Sequence, residues 1–460
     1  MPLDQETIAA IATPFGQGGI GIVRISGPQA LDIAKKVFKP NRPREAFESH
    51  RLYLGHFIDP VSGHTIDEVL LSFMRSPHSY TGEDVVEINS HSGWLLLSKI
   101  LEILLGQGAR LARPGEFTLR AFLNHRIDLT QAEAVVDLIN SRSEKGLVLA
   151  SRQIRGSFKR RIQALRKQAV DILAHAEVAI DFPEEESDRF SHKKGAIDIQ
   201  HLLIQPIQAL IAAHAGRIYV DGIDTVIVGR VNAGKSSLLN RLLNEERAIV
   251  TAVPGTTRDI VESSLSIGGI PIKLMDTAGL RHVSDEVERV GIRLTRQKMA
   301  EADLVLIVID QSRPLGEEDQ EIIRRAEGKQ GLVVLNKIDL TSALSREIRA
   351  ETFTPFPVVE ISALTGQGIE QLQKQVVDVI IRSDSMPPRS EAVPNLRHRS
   401  ALVQASEAFH AARDRTEEGA PMEIVALELR TGLNALGEIT GETVSEDVLE
   451  AVFSQFCLGK

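Results

Sequence analysis

Along the chain the spacing of apolar residues changes character three times. Over residues 1 to about 120, short Gly-punctuated apolar runs (IGIVRISG, EVLLSFM, EDVVEIN) read as strands, and stretches such as SGWLLLSKILEILLGQG carry helical spacing. That mixture predicts an α+β fold. From about 127 to 220 the spacing is almost continuously helical (DLTQAEAVVDLINSRSEKGLVLASRQI, then IQHLLIQPIQALIAAHAG), interrupted at DFPEEESD with its Pro183. Between 221 and 383 the apolar strands TVIVG, IKLMD, LVLIVID, GLVVLNK and FPVVEIS each precede a helical segment, the pattern of a doubly wound, mostly parallel α/β domain. A polar, Pro-containing stretch, RSDSMPPRSEAVPN, follows, and helical spacing resumes from about 396 to 453.

Helical segments therefore flank the α/β block, and the simplest architecture is a helical domain with the α/β domain inserted into it. The expected division is 1–120 (α+β), 121–220 (first helical part), 221–383 (α/β insert) and 384–460 (second helical part).

Composition narrows this picture. A chain of 460 residues has room for roughly three domains of ~150 residues. Its 43% hydrophobic and 25% charged residues are those of an ordinary globular protein, with aromatics at 4%, so aliphatic side chains must fill the cores. The one cysteine, Cys457, excludes an intramolecular disulfide and a multi-cysteine zinc site, which fits a reducing cytosol. The start, MPLDQETIAAIATPF, lacks the basic region of a signal peptide, and no apolar run approaches the ~18 residues that span a bilayer. A cytoplasmic protein without a membrane partner is expected. The net charge of −9 argues against nonspecific coating of nucleic acid. One local exception stands out: residues 151 to 170 hold seven Arg or Lys and no acid, whereas 171 to 188 hold seven Asp or Glu. The first reading of such a run is a solvated helix face.

Candidate chemistry concentrates in the α/β block. The run from Gly229 through Asn232, Ala233, Gly234, Lys235, Ser236 and Ser237 follows strand TVIV and opens the helix SSLLNRLL, the setting of a phosphate-binding loop. Its backbone N–H groups close on phosphate oxygens at a helix N-terminus. Lys235 then reaches the β and γ phosphates, and the Ser236 hydroxyl ligates Mg²⁺. Asp276, with Thr277, Ala278 and Gly279, follows strand IKLM, where a carboxylate holds Mg²⁺ through water and the Gly279 N–H senses the γ-phosphate. Asn336, Lys337 and Asp339 end strand GLVVL, and the Asp339 carboxylate can accept both the N1–H and the amino N–H of guanine, a pairing adenine cannot make. Ser362 and Ala363 end strand FPVVEI and add a backbone N–H toward the guanine oxygen. Any one of these segments could be a Gly-rich turn or a bulge; all four, in order and each after its own strand, point to a Mg²⁺-dependent GTPase.

Between them, Thr256 and Thr257 supply the switch threonine that joins Mg²⁺, assigned here to Thr257; the whole segment Thr251, Ala252, Val253, Pro254, Gly255, Thr256, Thr257 belongs to the expected nucleotide site. Leu280 stands where Ras-like proteins carry a water-orienting glutamine, and an aliphatic side chain cannot orient water. Glu288 is a candidate substitute, although spacing alone reads it equally as a solvated helix residue.

The sequence resembles the MnmE (TrmE) family of tRNA-modification GTPases over essentially its full length, in GQGGIGIVRISGP (16 to 28), YTGEDVVEI (80 to 88), RPGEFTLRAFLN (113 to 124), AIDFPEEE (179 to 186), GRVNAGKSSLLN, VPGTTRD, DTAGLR and FCLGK (456 to 460). Small departures are Val231 for the family's proline and Leu458 for its isoleucine. The resemblance implies an N-terminal α+β folate-binding and dimerisation domain, a discontinuous helical domain and an inserted Ras-like P-loop GTPase domain. It implies a homodimer, and a heterotetramer with the FAD-dependent partner MnmG. The complex would act on C5 of the wobble uridine of certain tRNAs with a tetrahydrofolate one-carbon donor (5,10-methylene or 5-formyl). It implies K⁺ in place of an arginine finger, held by Asn232, Thr251, Val253 and Thr256, with Lys235 and Glu288 as the catalytic residues. It also places folate on Arg24, Glu87, Arg126 and Lys460; a carboxylate such as Glu87 suits the pterin amino-pyrimidine edge, and cations suit the glutamate tail. Arg24 alone would read equally as a surface ion pair. Cys457 is a candidate redox or catalytic thiol, with a packing or tail-ordering residue as the alternative. Two rival readings are a ribosome-assembly or translation GTPase that gates RNA binding, and a folate-dependent transferase with a purely regulatory GTPase.

Overall fold

The computed structural model describes residues 6–14, 16, 18–43, 45–181, 192–245, 263–275, 297–383 and 392–460. In the N-terminal part, β1 (Ile8–Ile11), β2 (Ile20–Ser26), β3 (Phe38–Pro40), β4 (Arg51–Ile58), β5 (Thr65–Met74), β6 (Val85–His91) and β7 (Arg110–Leu111) form one sheet in the order β3-β4-β5-β6-β2-β1-β7. Every pair is antiparallel except β1 with β7. Period-two alternation decides which face is covered: Tyr53, Phe57, Val69, Leu71 and Phe73 point inward. They pack under α1 (Ala30–Val37) and α2 (Trp94–Gly106) through Ile33, Ala34, Leu97, Ile100 and Leu104. Their cross-face neighbours Leu52, Leu54 and Leu70 stay exposed. Helix α3 (Glu116–Leu123) closes this part.

Then follow α4 (Leu129–Asn140), α5 (Glu144–Ile154) and α6 (Ser157–Asp181), a 25-residue helix. Next come α7 (His192–Asp198), a π-turn at Ile199–Ile204, α8 (Gln205–Ala213) and the short α9 (Ile218–Asp221). The stretch His192–Asp221 is long and apolar enough to cross a bilayer. Its apolar side chains Ile199, Leu203, Ile204, Ile207 and Leu210 are instead buried in a shared helical core.

The insert holds β8 (Ile223–Val228), α10 (Lys235–Glu245), β9 (Ser263–Ile267), β10 (Ile270–Leu274), β11 (Leu304–Asp310), α11 (Glu317–Ala326), β12 (Gly331–Asn336), α12 (Arg346–Thr352), β13 (Val358–Ile361) and α13 (Ile369–Ser383). Its sheet runs β13-β12-β11-β8-β10-β9, parallel except for the β9–β10 hairpin. β11 and β12 are buried on both faces, which explains their unbroken apolar runs. β9 is absent from the strands expected of this block, because SSLSI alternates serine with apolar residues and is short.

After the insert come α14 (Leu396–Glu417), α15 (Met422–Thr440) and α16 (Glu446–Phe453). The helical core takes Phe158, Ile162 and Ala169 from α6 before the insert, and Leu402, Phe409, Val425, Leu429 and Leu436 from α14 and α15 after it. The two stretches of chain are also stitched by Gln153 Nε2, which donates to the Val393 carbonyl at 2.9 Å. On the insert side, Lys145 of α5 donates to the Gly268 carbonyl in the β9–β10 turn at 3.0 Å, with its ammonium 4.5 Å from the Tyr219 ring centroid.

Candidate functional site: nucleotide loops and an N-terminal charged cluster

Parallel pairing of β8, β11, β12 and β13 brings the ends that carry Gly229, Asp310, Asn336 and Ile361 to one edge of the sheet. There the chain turns back sharply: Gly229 and Gly234 have φ of 152° and 100°, and Asn232 itself adopts φ 67°. A Cβ on Gly234 would stand 2.1 Å from Asn336 Nδ2, so a side chain at position 234 would displace the Asn336 amide and strain a positive-φ backbone. Asn336 is buried and bridges two loops: its Nδ2 donates to the Ala233 carbonyl at 2.9 Å, and its Oδ1 accepts the Ala363 N–H at 3.0 Å. The residue expected to face guanine thus also clamps the phosphate loop to the loop of Ser362 and Ala363.

Lys235 Nζ donates to the carbonyls of Gly229 and Arg230 at 2.6 and 2.8 Å, and burial holds its ammonium below the ordinary lysine value. Arg230 pairs with Asp319 at the start of α11 at 2.9 Å. Lys337, at φ 68°, donates to Asp310 Oδ2 at 2.6 Å. Burial would raise the Asp310 carboxyl, but the Lys337 and Ser312 hydrogen bonds outweigh it and hold it low. Asn232, Ser236, Ser237 and Asp339 are exposed at this edge, while Ser362 and Ala363 are buried. The remaining expected nucleotide and metal residues, Thr251, Ala252, Val253, Pro254, Gly255, Thr256, Thr257, Asp276, Thr277, Ala278, Gly279 and Glu288, lie outside the described residues.

A second cluster brings the two ends of the sequence together. Arg24 and Glu87 are register partners on β2 and β6, and Arg24 Nε and Nη2 each lie 2.8 Å from Glu87 Oε1. Arg24 Nη1 also donates to the Gly459 carbonyl at 3.2 Å, and its guanidinium carbon lies 5.4 Å from the Tyr80 ring centroid and 5.7 Å from that of Phe117. The tail reaches this point because Phe456 is buried against Phe453, ring centroids 5.6 Å apart. Gly459 (φ 89°) then passes so close to β1 that a Cβ would stand 2.4 Å from the Ile11 carbonyl oxygen. Lys460 is half-buried beside the pair; burial lowers its ammonium, as does Arg24, against the opposing pull of Glu87. Arg24 and Glu87 therefore pair directly, and Lys460 lies near enough to feel both charges. Arg126 is not in that contact set; it lines a cavity of about 590 Å³ with Tyr80, His50 and His78, so the Tyr80 ring connects it to Arg24. Cys457 is exposed.

Residues 7–126 match the family description "GTP-binding protein TrmE N-terminus", and residues 129–457 match "MnmE helical domain". Over 457 residues the chain is 46% identical to the tRNA modification GTPase MnmE of Geotalea uraniireducens, covering 99% of each chain. The chain belongs to the MnmE family of tRNA modification GTPases. The corresponding protein of Carboxydothermus hydrogenoformans is 43% identical over 464 residues, 99% of this chain and 100% of that one. Among solved structures, the G domain of the T. maritima FeoB iron transporter is similar at 27% identity over 34% of this chain and 98% of that one, with a TM-score of 0.27.

Two buried polar networks in this MnmE-family chain escape sequence reasoning. In the first, Arg120 is buried and joins Glu83 (3.0 Å) to Glu116 (3.1 Å), which Arg110 grips at 2.6 Å, while Ser26 donates to Glu83 at 2.8 Å. The RPGEFTLRAF and YTGED motifs thereby fasten α3 to the end of β2, two residues from Arg24. In the second, Glu133 of α4 accepts from Arg397 Nε and Nη2 at 2.8 Å each, from Asn395 Nδ2 at 2.9 Å, and lies 2.6 Å from His398 Nε2. Burial pushes the Glu133 carboxyl up, but its imidazole and guanidinium partners more than offset this and hold it well below the usual range. His398 Nδ1 accepts the Asn395 N–H at 3.3 Å, which requires a neutral ring with its proton on Nε2; burial accordingly holds His398 below its ordinary value. The available signal was the i, i+4 pair Glu116 and Arg120 inside an apolar helical run, where unpaired charge would be costly.

Proposed function

We propose that this chain is a K⁺- and Mg²⁺-dependent GTP hydrolase that works as a homodimer in the cytoplasm. With the FAD-dependent protein MnmG it would install an aminomethyl-type or carboxymethylaminomethyl-type group on C5 of the wobble uridine of certain tRNAs, drawing one carbon from a tetrahydrofolate derivative. The observation that carries the finer reading is the Arg24–Glu87 pair beside two aromatic rings, with Arg24 also bonded to the Gly459 carbonyl 435 positions away and Lys460 half-buried near the pair. That donor set fits a folate: a carboxylate matches the amino-pyrimidine edge, ring faces suit a planar heterocycle, and the cations match carboxylates. Arg126, one ring away, extends the positive lining.

For the metals, the fit on the described residues is partial and consistent. Ser236 is exposed at the first turn of α10, as an Mg²⁺ ligand must be, and Asn232 is exposed on the same loop for K⁺. Thr257 and Asp276 would complete the Mg²⁺ set, the latter through water, and Thr251, Val253 and Thr256 the K⁺ set. When bound, these ions would supply positive charge to the phosphoryl oxygens. Lys235 would hold the β and γ phosphates, Asn336, Asp339 and Ala363 the guanine, and Glu288 the attacking water.

Three measurements test the proposal. Binding of 5-formyltetrahydrofolate should weaken by about tenfold or more in Arg24→Ala, the loss of one charge-assisted pair; equal affinity removes the folate assignment. GTP turnover should be faster in KCl than in NaCl at equal ionic strength, and equal rates would remove the K⁺ assignment. Normal wobble uridines in a deletion strain complemented with Glu288→Ala would end the coupling claim.

A further inference from the structure

The chain carries a net charge of −9, yet where α5 hands over to α6 its surface has the opposite sign. Of the seven cations between residues 151 and 170, Lys159 pairs with Asp128 at 3.7 Å and Arg166 pairs with Glu442. The other five, Arg152, Arg155, Arg160, Arg161 and Lys167, make no ion pair among the described residues, and all five are exposed. They are held in place: Phe158, Ile162, Leu165 and Ala169 bury the other side of α6 in the helical core. Arg160 Nη1 donates to the Arg155 carbonyl at 2.8 Å and closes the corner between the helices.

A solvated helix face ordinarily interleaves acids at i+3 or i+4, because like charges at those spacings destabilise the helix. Here the first exposed acid on that side of α6 is Asp171, one turn beyond Lys167, and it marks the end of the strip. Two carboxylates that reach this stretch are already engaged by its other cations, Asp128 as the α4 cap and partner of Lys159, and Glu442 with Arg166. Among the described residues, repulsion among these five cations is thus left without a paired counter-charge, the condition that an external polyanion relieves.

Position selects the polyanion. Gln131 of α4 donates to the Ile154 carbonyl at 2.8 Å, which ties the corner to the N-terminus of α4. Two residues before the Asp128 cap is Arg126, on the wall of the cavity that shares Tyr80 with Arg24. The strip therefore runs toward the N-terminal cluster. From Arg160 to Lys167 α6 rises about 10 Å, the length of about three phosphates at ~3.4 Å per nucleotide.

We propose that Arg152, Arg155, Arg160, Arg161 and Lys167 form a phosphate-binding track that holds the sugar–phosphate backbone of tRNA and directs it to the N-terminal site. This rests on the reading of tRNA as the substrate. The test uses the full chain and the triple variant R152A/R161A/K167A, titrated onto unmodified tRNA by fluorescence anisotropy while NaCl is raised over fixed KCl. Affinity at about 150 mM salt should fall about tenfold or more, and the slope of log K against log [salt] should lose about 2 to 3, one for each phosphate contact removed. Lysine replacements at 152 and 161 should restore most of both. Melting temperature and GTP turnover without RNA should not change, since all three side chains are exposed and form no ion pair among the described residues. Wild-type affinity and slope in the triple variant would overturn the track, including a result in which the variant loses only a protein partner. A wild-type chain that binds no tRNA would instead overturn the substrate reading on which the track depends.

Discussion

Replacing Asn336 by alanine removes the bridge between the phosphate loop and the Ser362–Ala363 loop. Two bonds go, to the Ala233 carbonyl and from the Ala363 N–H, and both partners sit where the side chain is 2% exposed. Each buried backbone group left unpaired costs about 1–3 kcal/mol, so the pair costs about 2–6 kcal/mol. Not all of this reaches the nucleotide, because part is lost as stability of the insert. If half does, about 1–3 kcal/mol, GDP affinity falls roughly five- to 150-fold. Asn336→Asp separates donor from volume: it keeps an acceptor for the Ala363 N–H but sets an oxygen against the Ala233 carbonyl, so it should lose nearly as much as alanine. The assay is equilibrium titration with a fluorescent GDP analogue at fixed Mg²⁺ and K⁺, with thermal melts of the nucleotide-free variants alongside. An Asn336→Asp protein that binds GDP within about twofold of wild type, at unchanged melting temperature, would refute the clamp.

Three further outcomes follow from the buried groups. Glu133→Ala leaves the half-buried Arg397 without its counter-charge and the neutral His398 ring without a carboxylate beside Nε2, at a cost of about 3–5 kcal/mol; calorimetry should show the helical transition shifted down, and an unshifted transition contradicts the stitch. His398 has its folded value below the ordinary 6.5, so the unfolded chain binds the extra proton and stability is lost as pH falls below 6.5; His398→Gln should flatten urea-unfolding midpoints measured between pH 7 and 5, and an equally steep decline in the variant rejects it. Gly459→Ala combines a left-handed backbone with a clash on β1; tail docking and binding of 5-formyltetrahydrofolate should weaken about tenfold, roughly 1.4 kcal/mol, and unchanged binding would mean that the tail does not build that site.

The parallel sheet was the most legible part, because β11 and β12 are covered on both faces and so appear as continuous apolar runs. Strand β9 was not, since its Ser–apolar alternation takes strand meaning only from pairing with β10. Motif spacing led to Gly229, Lys235 and Asn336 because phosphate and base recognition demand those residue types in those positions. It could not reveal that Asn336 is also a structural clamp, a role defined by loops that lie 103 and 27 residues away. Arg24 with Glu87 depends on the β2–β6 register, and Lys460 joins them only because Phe456 and Gly459 fasten the tail. Glu133 and His398 resemble ordinary helix residues until α4 and α14 are brought together across the insert. No periodicity encodes that distance.

The bond from Arg24 to the Gly459 carbonyl closes a loop of 435 residues. At roughly 5–20 residues per second of synthesis, the ribosome makes Gly459 on the order of 20–90 s after Arg24. During that interval the N-terminal sheet and the GTPase insert each have their own strands in hand, so both can fold. The Arg24–Glu87–Lys460 cluster cannot assemble. Nucleotide binding and the N-terminal site are therefore acquired at different times, and a nascent chain passes through a stage able to hold GTP while its second site is still unbuilt.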